Sequence, residues 1–142
     1  MKQYNLHCNI AQTLNIIGDR WSLLILHQIF LGSETYKELL ENLEGIPTNL
    51  LAERLKTMES DNLIERNIYQ SHPPRYKYVL TEKGRELEDV FNSLIMWGQK
   101  HLNKCYKKLV HGSCGSVIEH RYYCPKCGSV SLNELTVINP EE

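Results

Sequence analysis

The chain has 142 residues, of which 42% are apolar and 23% are charged, values typical of one globular domain with a small appendage. This composition excludes a disordered or low-complexity protein, and no run approaches the ~18 apolar residues of a membrane helix. A net charge of −1 excludes a globally basic nucleic-acid binder, but it leaves a local basic surface open. Residues 1–6 lack the apolar region of a secretory signal, so we expect a cytoplasmic protein without a membrane partner.

Apolar residues recur at helical spacing in four segments before position 60. The segments are 10–17, 21–31, 36–43 and 48–58. Thr35 and Glu38 have the spacing of a capping box, which predicts the start of the third helix. In the fourth helix, Leu51, Leu55 and Met58 form the predicted core stripe.

A β-hairpin and a long helix are predicted to follow. The strands are 63–69 and 76–80, joined by a tip of six to eight residues because Pro73 and Pro74 are poor members of a ladder. A helix is predicted from about 81 to 108. Its apolar residues cover roughly 160° of its circumference, more than the ~100° that one core contact uses. The surplus face predicts contact with a second copy of the chain.

Short motifs occur in a fixed order along these elements. They are Cys8, Gly18–Leu26 (GDRWSLLIL), Gly45–Pro47 (GIP), Leu51–Leu55 (LAERL), Pro73–Gly84 (PPRYKYVLTEKG) and Trp97–Gly98. Together they resemble the HxlR-type transcriptional regulators, a bacterial and archaeal family of dimeric DNA-binding proteins. The resemblance covers roughly residues 8–98.

The resemblance implies a mainly α fold with a small β-hairpin. Residues 1–108 would form a winged helix-turn-helix DNA-binding domain with long N- and C-terminal dimerisation helices. Residues 109–142 would form a small Cys/His-rich, zinc-ribbon-like hairpin and tail. The implied function is a sequence-specific transcriptional regulator, a repressor, that binds double-stranded DNA as a homodimer on a pseudo-palindromic operator.

Six side chains are candidates for DNA contact. They are Thr48, Asn49, Arg54, Lys56, Arg75 and Lys77. An Asn side chain can bond adenine bidentately, a Thr can reach a base edge, and Arg or Lys can neutralise phosphates. The hairpin region 66–77 carries three basic residues and no acid, as a wing on DNA requires. For Arg54, a structural ion pair with an acid near the core is the open alternative.

Two positions depart from the family pattern. Pro47 stands where the family often has Ser, so Pro47 takes the N-cap or the first helical position and Thr48 becomes a candidate cap. Thr35 stands where the family often has Arg, which removes one candidate DNA contact.

The last part of the chain contains two Cys-rich half-sites. His111-x2-Cys114 and Cys124-x2-Cys127 supply four ligands that suit a structural, tetrahedral Zn²⁺ ion. His120 could replace His111 as a ligand. The alternative is a reduced or disulfide-linked hairpin that packs on the last helix.

Cys8 stands where some members of the family sense oxidants or electrophiles, which makes it a redox-sensing candidate. The alternative is a half-buried packing cysteine. A second function class also remains open: a winged-helix protein-interaction module of the transcription machinery with a structural zinc ribbon. The fourth predicted helix is the recognition helix that the resemblance implies, and its nearly neutral charge favours that module. No constellation of catalytic residues occurs, so an enzyme is not expected.

Overall fold

The computed structural model describes residues 2–140, and its elements follow the predicted order. The first part contains helices α1 (Asn9–Ile17), α2 (Ser22–Phe30), α3 (Tyr36–Asn42) and α4 (Thr48–Ser60), then strands β1 (Ile64–Ser71) and β2 (Pro74–Leu80). Helices α5 (Glu82–Arg85) and α6 (Glu88–His101) follow, then strands β3 (Tyr122–Cys124) and β4 (Gly128–Val130) and the short 3-10 helix Leu132–Glu134.

The chain forms two compact units, one up to Leu94 and one from Ile95 onward, and the division falls within α6. The domain boundary predicted between residues 108 and 109 stays a prediction.

The first unit has a single hydrophobic core. Its centre is made by fully buried side chains on α2, α3 and α4, namely Ile25, Leu26, Leu39 and Leu51. The predicted core stripe of α4 is confirmed, because all three of its members are buried. Burial of one face per helix is what amphipathic spacing requires, and it leaves the opposite face of α4 in solvent.

The starts of α3 and α4 are built differently. Thr35 Oγ1 accepts from the Glu38 backbone N–H at 3.2 Å, and the Glu38 carboxylate accepts from the Thr35 N–H at 3.4 Å, which confirms the capping box. Pro47 takes the N-cap of α4, with φ −62° and no side-chain hydrogen bond to the helix. Thr48 is therefore the first helical residue and not the cap.

The hairpin turn is tighter than the sequence suggested. Ser71 pairs with Pro74, so the strands leave only His72 and Pro73 at the tip, and the prediction of six to eight residues was wrong. Proline is tolerated as the first residue of a strand, which is where Pro74 stands. Tyr69 forms a bulge, because the pairs on either side of it join adjacent residues of β2.

The long last helix was also predicted wrongly. Residues 86–87 form a turn between α5 and α6, and α6 ends at His101 instead of continuing to 108. Helix α6, with 14 residues, is thus shorter than expected, whereas α1, with 9 residues, agrees with the predicted segment 10–17. The apolar stripe stops at Leu102 and a lysine-rich segment follows, so no packing face remains to prolong the helix.

The second unit has few buried side chains. Val110 and Val117 form an isolated antiparallel bridge, and the short β3–β4 hairpin follows. Between residues 99 and 140, every described residue is exposed or only partly buried. Across residues 2–140 the structure contains no helix that is both long and apolar enough to cross a membrane.

Gly84 is expected to be intolerant of a side chain. A Cβ atom there would lie 2.1 Å from the backbone oxygen of Leu63, so either α5 or β1 would have to move. We predict that Gly84→Ala lowers the free energy of unfolding by about 1–3 kcal/mol, measured by urea denaturation. Gly112→Ala is the control, since nothing lies within 4 Å of its Cβ position. Equal stability of the two variants would contradict the packing described for Gly84.

Candidate nucleic-acid interface

The exposed start of α4 carries two of the predicted DNA-binding residues. Thr48 and Asn49 are both exposed, in the first turn of the helix. Tyr36, on α3, donates a hydrogen bond from its hydroxyl to the Thr48 carbonyl oxygen at 2.7 Å. This bond ties the first turn of α4 to α3. Nothing in the sequence spacing of Tyr36 pointed to this partner.

Arg54 points from α4 toward the turn that precedes α2. Its guanidinium lies 3.3 Å from the Asp19 carboxylate and donates to Ser22 Oγ at 2.8 and 3.1 Å. The Arg54 and Asp19 side chains are only 16% and 18% exposed. These contacts are the structural ion pair that the sequence left open for Arg54.

Asp19 also organises the start of α2. Its carboxylate accepts from the backbone N–H groups of Trp21 and Ser22 at 3.2 and 3.1 Å, and from the Ser22 hydroxyl. Arg54 adds a contact to the Ile16 carbonyl oxygen at 3.4 Å, at the end of α1. One guanidinium thus holds α4 to the segment that joins α1 and α2.

The wing, here the β1–β2 hairpin, is less positive than its sequence suggests. Arg66 lies 3.4 Å from Glu59 of α4, and Lys77 lies 3.4 Å from Glu34, just before α3. Both partners lie outside the hairpin, so counting charges along residues 66–77 could not find them. All four side chains are about half exposed, and such surface pairs contribute little stability.

Arg75 differs from the other two wing cations. It is exposed in the first part of β2, next to the tip. Among residues 2–140 it forms no ion pair. Its guanidinium is therefore available to an anion from outside the chain.

Helix α4 and the wing also share a cavity of about 480 Å³. Lys56, Glu59 and Ser60 line it from α4, and Arg66 and Tyr78 line it from the wing. Burial raises the pKa of Tyr78, so its hydroxyl stays protonated. The structure therefore brings Lys56 close to the wing, whereas Arg54 faces away toward Asp19.

The four predicted zinc ligands lie on two turns. His111 Nδ1 is 3.3 Å from Cys114 Sγ, and hydrogen bonds from Ser116, then from His111, lower the pKa of the Cys114 thiol to about 7. The backbone N–H groups of Lys126 and Cys127 lower the pKa of Cys124.

Glycines with positive φ follow both turns, Gly115 at 75° and Gly128 at 86°, as the Cys-Gly pattern requires. In the part of the chain that the structure describes, however, no three His, Cys, Asp or Glu side chains come together to hold a metal ion. As placed, His111, Cys114, Cys124 and Cys127 do not fit one tetrahedral Zn²⁺ site, and no other histidine completes it.

Cys8 is the N-cap residue of α1, and its thiol is free and exposed. The remaining cysteines, at positions 105, 114, 124 and 127, are also free of disulfides.

The family model of the HxlR-like helix-turn-helix matches residues 16–106. The chain belongs to the HxlR family. The sequence predicts that α4 is its recognition helix, and that assignment stays a prediction. The related proteins of this family are described as transcriptional regulators.

Three comparisons add detail to this assignment. The uncharacterized HTH-type transcriptional regulator Mb3122 of Mycobacterium bovis is 37% identical over 84% of this chain and 77% of its own length. The crystal structure of PA1607, described as a candidate transcription factor, has a TM-score of 0.79, 24% identity and coverage of 94% and 96% of the two chains, and it supports the fold alone. The redox regulator HypR in its reduced form has a TM-score of 0.61 and 28% identity, with 65% and 91% coverage.

Arg54 and Lys56 offer a direct test of the ion pair. We predict that Arg54→Ala lowers the free energy of unfolding by about 2 kcal/mol, because it leaves the Asp19 carboxylate partly buried without its cation. Lys56→Ala, on the same helix but exposed, should change it by less than about 0.5 kcal/mol. Urea denaturation measures both. Unchanged stability of Arg54→Ala together with weaker DNA binding would instead favour a phosphate contact.

Proposed function

We propose that this chain is a sequence-specific, DNA-binding repressor that acts as a homodimer on a pseudo-palindromic operator. The observation that carries the proposal is the exposed first turn of α4, with the amide of Asn49 in solvent, beside a wing whose Arg75 forms no ion pair within residues 2–140. A recognition helix enters the major groove with its N-terminal residues toward the bases. Asn49 would bond adenine, and Thr48 would contact a neighbouring base or a thymine methyl.

The basic residues would position the protein on the DNA backbone. Arg75 and Lys56 are exposed and would contact phosphates, and Lys77 would exchange its weak ion pair with Glu34 for one with DNA. We leave Arg54 out of this set because its guanidinium already has an acidic partner.

Exposed apolar side chains on two helices support the homodimer. Ile10 and Leu14 on α1 are 72% and 41% exposed, and Leu94 and Trp97 on α6 are 55% and 63% exposed. Large apolar side chains at neighbouring positions of a helix usually mark a contact surface. A second copy is the simplest partner, and its two recognition helices would match two half-sites about 34 Å apart.

The function is tested by titrating the protein onto labelled DNA from upstream of its own gene, with a scrambled duplex as control, at two salt concentrations. The proposal predicts an affinity for one duplex that exceeds that for the scramble by ~10³-fold or more. If upstream and remote promoter DNA both bind only as weakly as the scramble, the protein-interaction module becomes the better interpretation.

Arg75 should contribute affinity without sequence information. We predict that Arg75→Ala weakens binding to all duplexes and reduces the slope of log K against log salt by about 0.9, the value of one phosphate contact. Arg121→Ala, which removes an exposed arginine paired with Glu119 in the second unit, is the control and should leave the slope unchanged. A loss confined to one sequence would argue against a phosphate contact.

Asn49 should contribute sequence information. We predict that Asn49→Ala relaxes the preference at one base pair by about 1–3 kcal/mol, measured by selection from a randomised duplex library. Glu53→Ala, an exposed residue of the same helix, should change affinity for all sequences alike. An unaltered preference in the Asn49 variant would remove this residue from base readout.

Cys8 is the proposed site of redox or electrophile sensing. Its thiol is exposed at the amino-terminal end of α1, and the related HypR is described as a redox regulator. We predict that a thiol-directed electrophile labels Cys8 faster than free cysteine at neutral pH, as a sensing thiol requires. Cys105, also exposed, is the internal control, and mass spectrometry of both peptides gives the rates. Labelling of Cys8 no faster than free cysteine would end the sensing hypothesis.

Zinc binding by the second unit stays a prediction from the sequence. The four residues do not form one site as they are placed, so no step of the proposed function depends on the metal.

A further inference from the structure

A second cavity lies between the start of α3 and the wing, and its volume is about 350 Å³. Its walls come from the two elements that flank the recognition helix. The lining residues are Thr35, Tyr36, Lys37, Tyr69, Pro74, Arg75, Tyr76 and Tyr78. This volume falls within the range of pockets that bind small molecules, about 300–1,000 Å³.

Four tyrosines give the pocket its aromatic character. Tyr76 and Tyr78 come from β2 and Tyr36 from α3, and the fourth, Tyr69, is the bulge residue of β1. A bulge breaks the alternation of side chains along a strand, and bulges are common where a side chain is redirected toward a site. Aromatic walls bind flat, unsaturated ligands better than saturated ones of the same size.

The charge of the lining is positive. Lys37 and Arg75 line the cavity, and no acidic residue does. The two acids nearest in sequence are already engaged. Glu34 pairs with Lys77 at 3.4 Å, and Glu38 accepts from the backbone N–H groups of residues 34 and 35 in the capping box.

The two cations that line the cavity, those of Lys37 and Arg75, are accessible to a ligand. Lys37 meets Glu41 only at 4.0 Å, with both side chains largely in solvent, and Arg75 has no ion pair among residues 2–140. An anion in this pocket would therefore find two cations without breaking a buried contact.

We propose that this pocket binds a small aromatic anion, of the class of aromatic carboxylates, and that the ligand controls DNA binding. The ring would lie among the tyrosines, and the carboxylate would meet Lys37 and Arg75. No other lining group carries a formal charge at neutral pH, so an anionic ligand would meet no repulsion from the walls.

The regulatory part of this inference rests on the proposed function. Arg75 is a proposed phosphate contact, so a bound carboxylate competes with DNA for the same guanidinium. Tyr36 also holds the Thr48 carbonyl at the start of the recognition helix, so a ligand against Tyr36 acts on the base-reading turn. Ligand and DNA should therefore weaken each other's binding, as linkage requires.

Binding is tested without DNA, by calorimetric titration of the full chain with 2-naphthoate. Two further probes distinguish the contribution of the aromatic ring from that of the negative charge. Cyclohexanecarboxylate is an anion without an aromatic ring, and inorganic phosphate is a mimic of the DNA backbone. We expect 2-naphthoate to bind at least ~10-fold more tightly than either probe, because only it uses both the rings and the cations. Equal affinity for all three, or tighter binding of phosphate, would overturn the inference and leave a phosphate-contact surface.

Substitutions in and next to the cavity lining test where 2-naphthoate binds. Tyr69→Ala should weaken 2-naphthoate binding by about 3- to 10-fold, the contribution of one aromatic contact. Ile68→Ala is the matched control, because Ile68 is the neighbouring exposed apolar residue and does not line the cavity. Lys37→Gln gives a second, independent loss in an exposed side chain whose removal leaves the core intact. Equal binding by all three variants and the wild type would place the ligand elsewhere and overturn the assignment.

A measurement of DNA binding distinguishes failure of this inference from failure of the proposed function. With a duplex that the protein binds specifically, 2-naphthoate should weaken DNA binding by the wild type at about 3- to 10-fold lower concentration than it does for Tyr69→Ala, in line with the loss of one aromatic contact. Pocket binding with no effect on DNA affinity would overturn the regulatory part alone. Absence of specific DNA binding would overturn the proposed function and the regulatory part, while the calorimetry would still decide the site.

Discussion

The ion pair between Arg54 and Asp19 fixes the recognition helix relative to the rest of the first unit. Arg54 lies on the inner side of α4, and its guanidinium reaches the Ile16 carbonyl at the end of α1 and the Asp19–Ser22 turn before α2. A guanidinium suits this task because its planar fork can donate to several acceptors at once. With α4 held in this way, the opposite face of the helix, which carries Asn49, is directed to solvent. The proposed base readout by Asn49 would therefore depend on an ion pair within the protein.

The fold determines which cations of the wing are paired, because their acidic partners lie outside the hairpin. The cations of Arg66 and Lys77 are each paired with an acid from a neighbouring element, which draws the hairpin toward α4 and α3. These exposed pairs cost little to exchange for phosphates, whereas Arg75 has no pair to exchange. The same distribution leaves the aromatic pocket beside Arg75 with a positive lining. The proposed DNA contact and the proposed ligand contact would therefore share the guanidinium of Arg75.

Patterns within one helix or strand predicted the secondary-structure elements well. They could not predict contacts between residues that are far apart in the chain. The Thr35 capping box and the core stripe of α4 follow from spacing within one helix, so the sequence contained all the information required. The motifs around Asp19 and Arg54 were visible separately, but their contact joins residues far apart in the chain. The hairpin turn was predicted too long because Pro74 was treated as incompatible with a strand, although it stands at a strand's first position. The last helix was predicted too long because the lysine-rich segment after Leu102 was included without an apolar face to hold it.

In the proposed function each chain contributes one recognition helix and one wing, so specific binding at two half-sites would need two chains. The exposed apolar residues of α1 and α6 are the proposed contacts between those chains. The most direct test is the mass of the protein–DNA complex, measured by native mass spectrometry on a duplex that the protein selects from a random library. The account predicts two chains per duplex, with one half-site for each chain. One chain per duplex with full sequence specificity would contradict it.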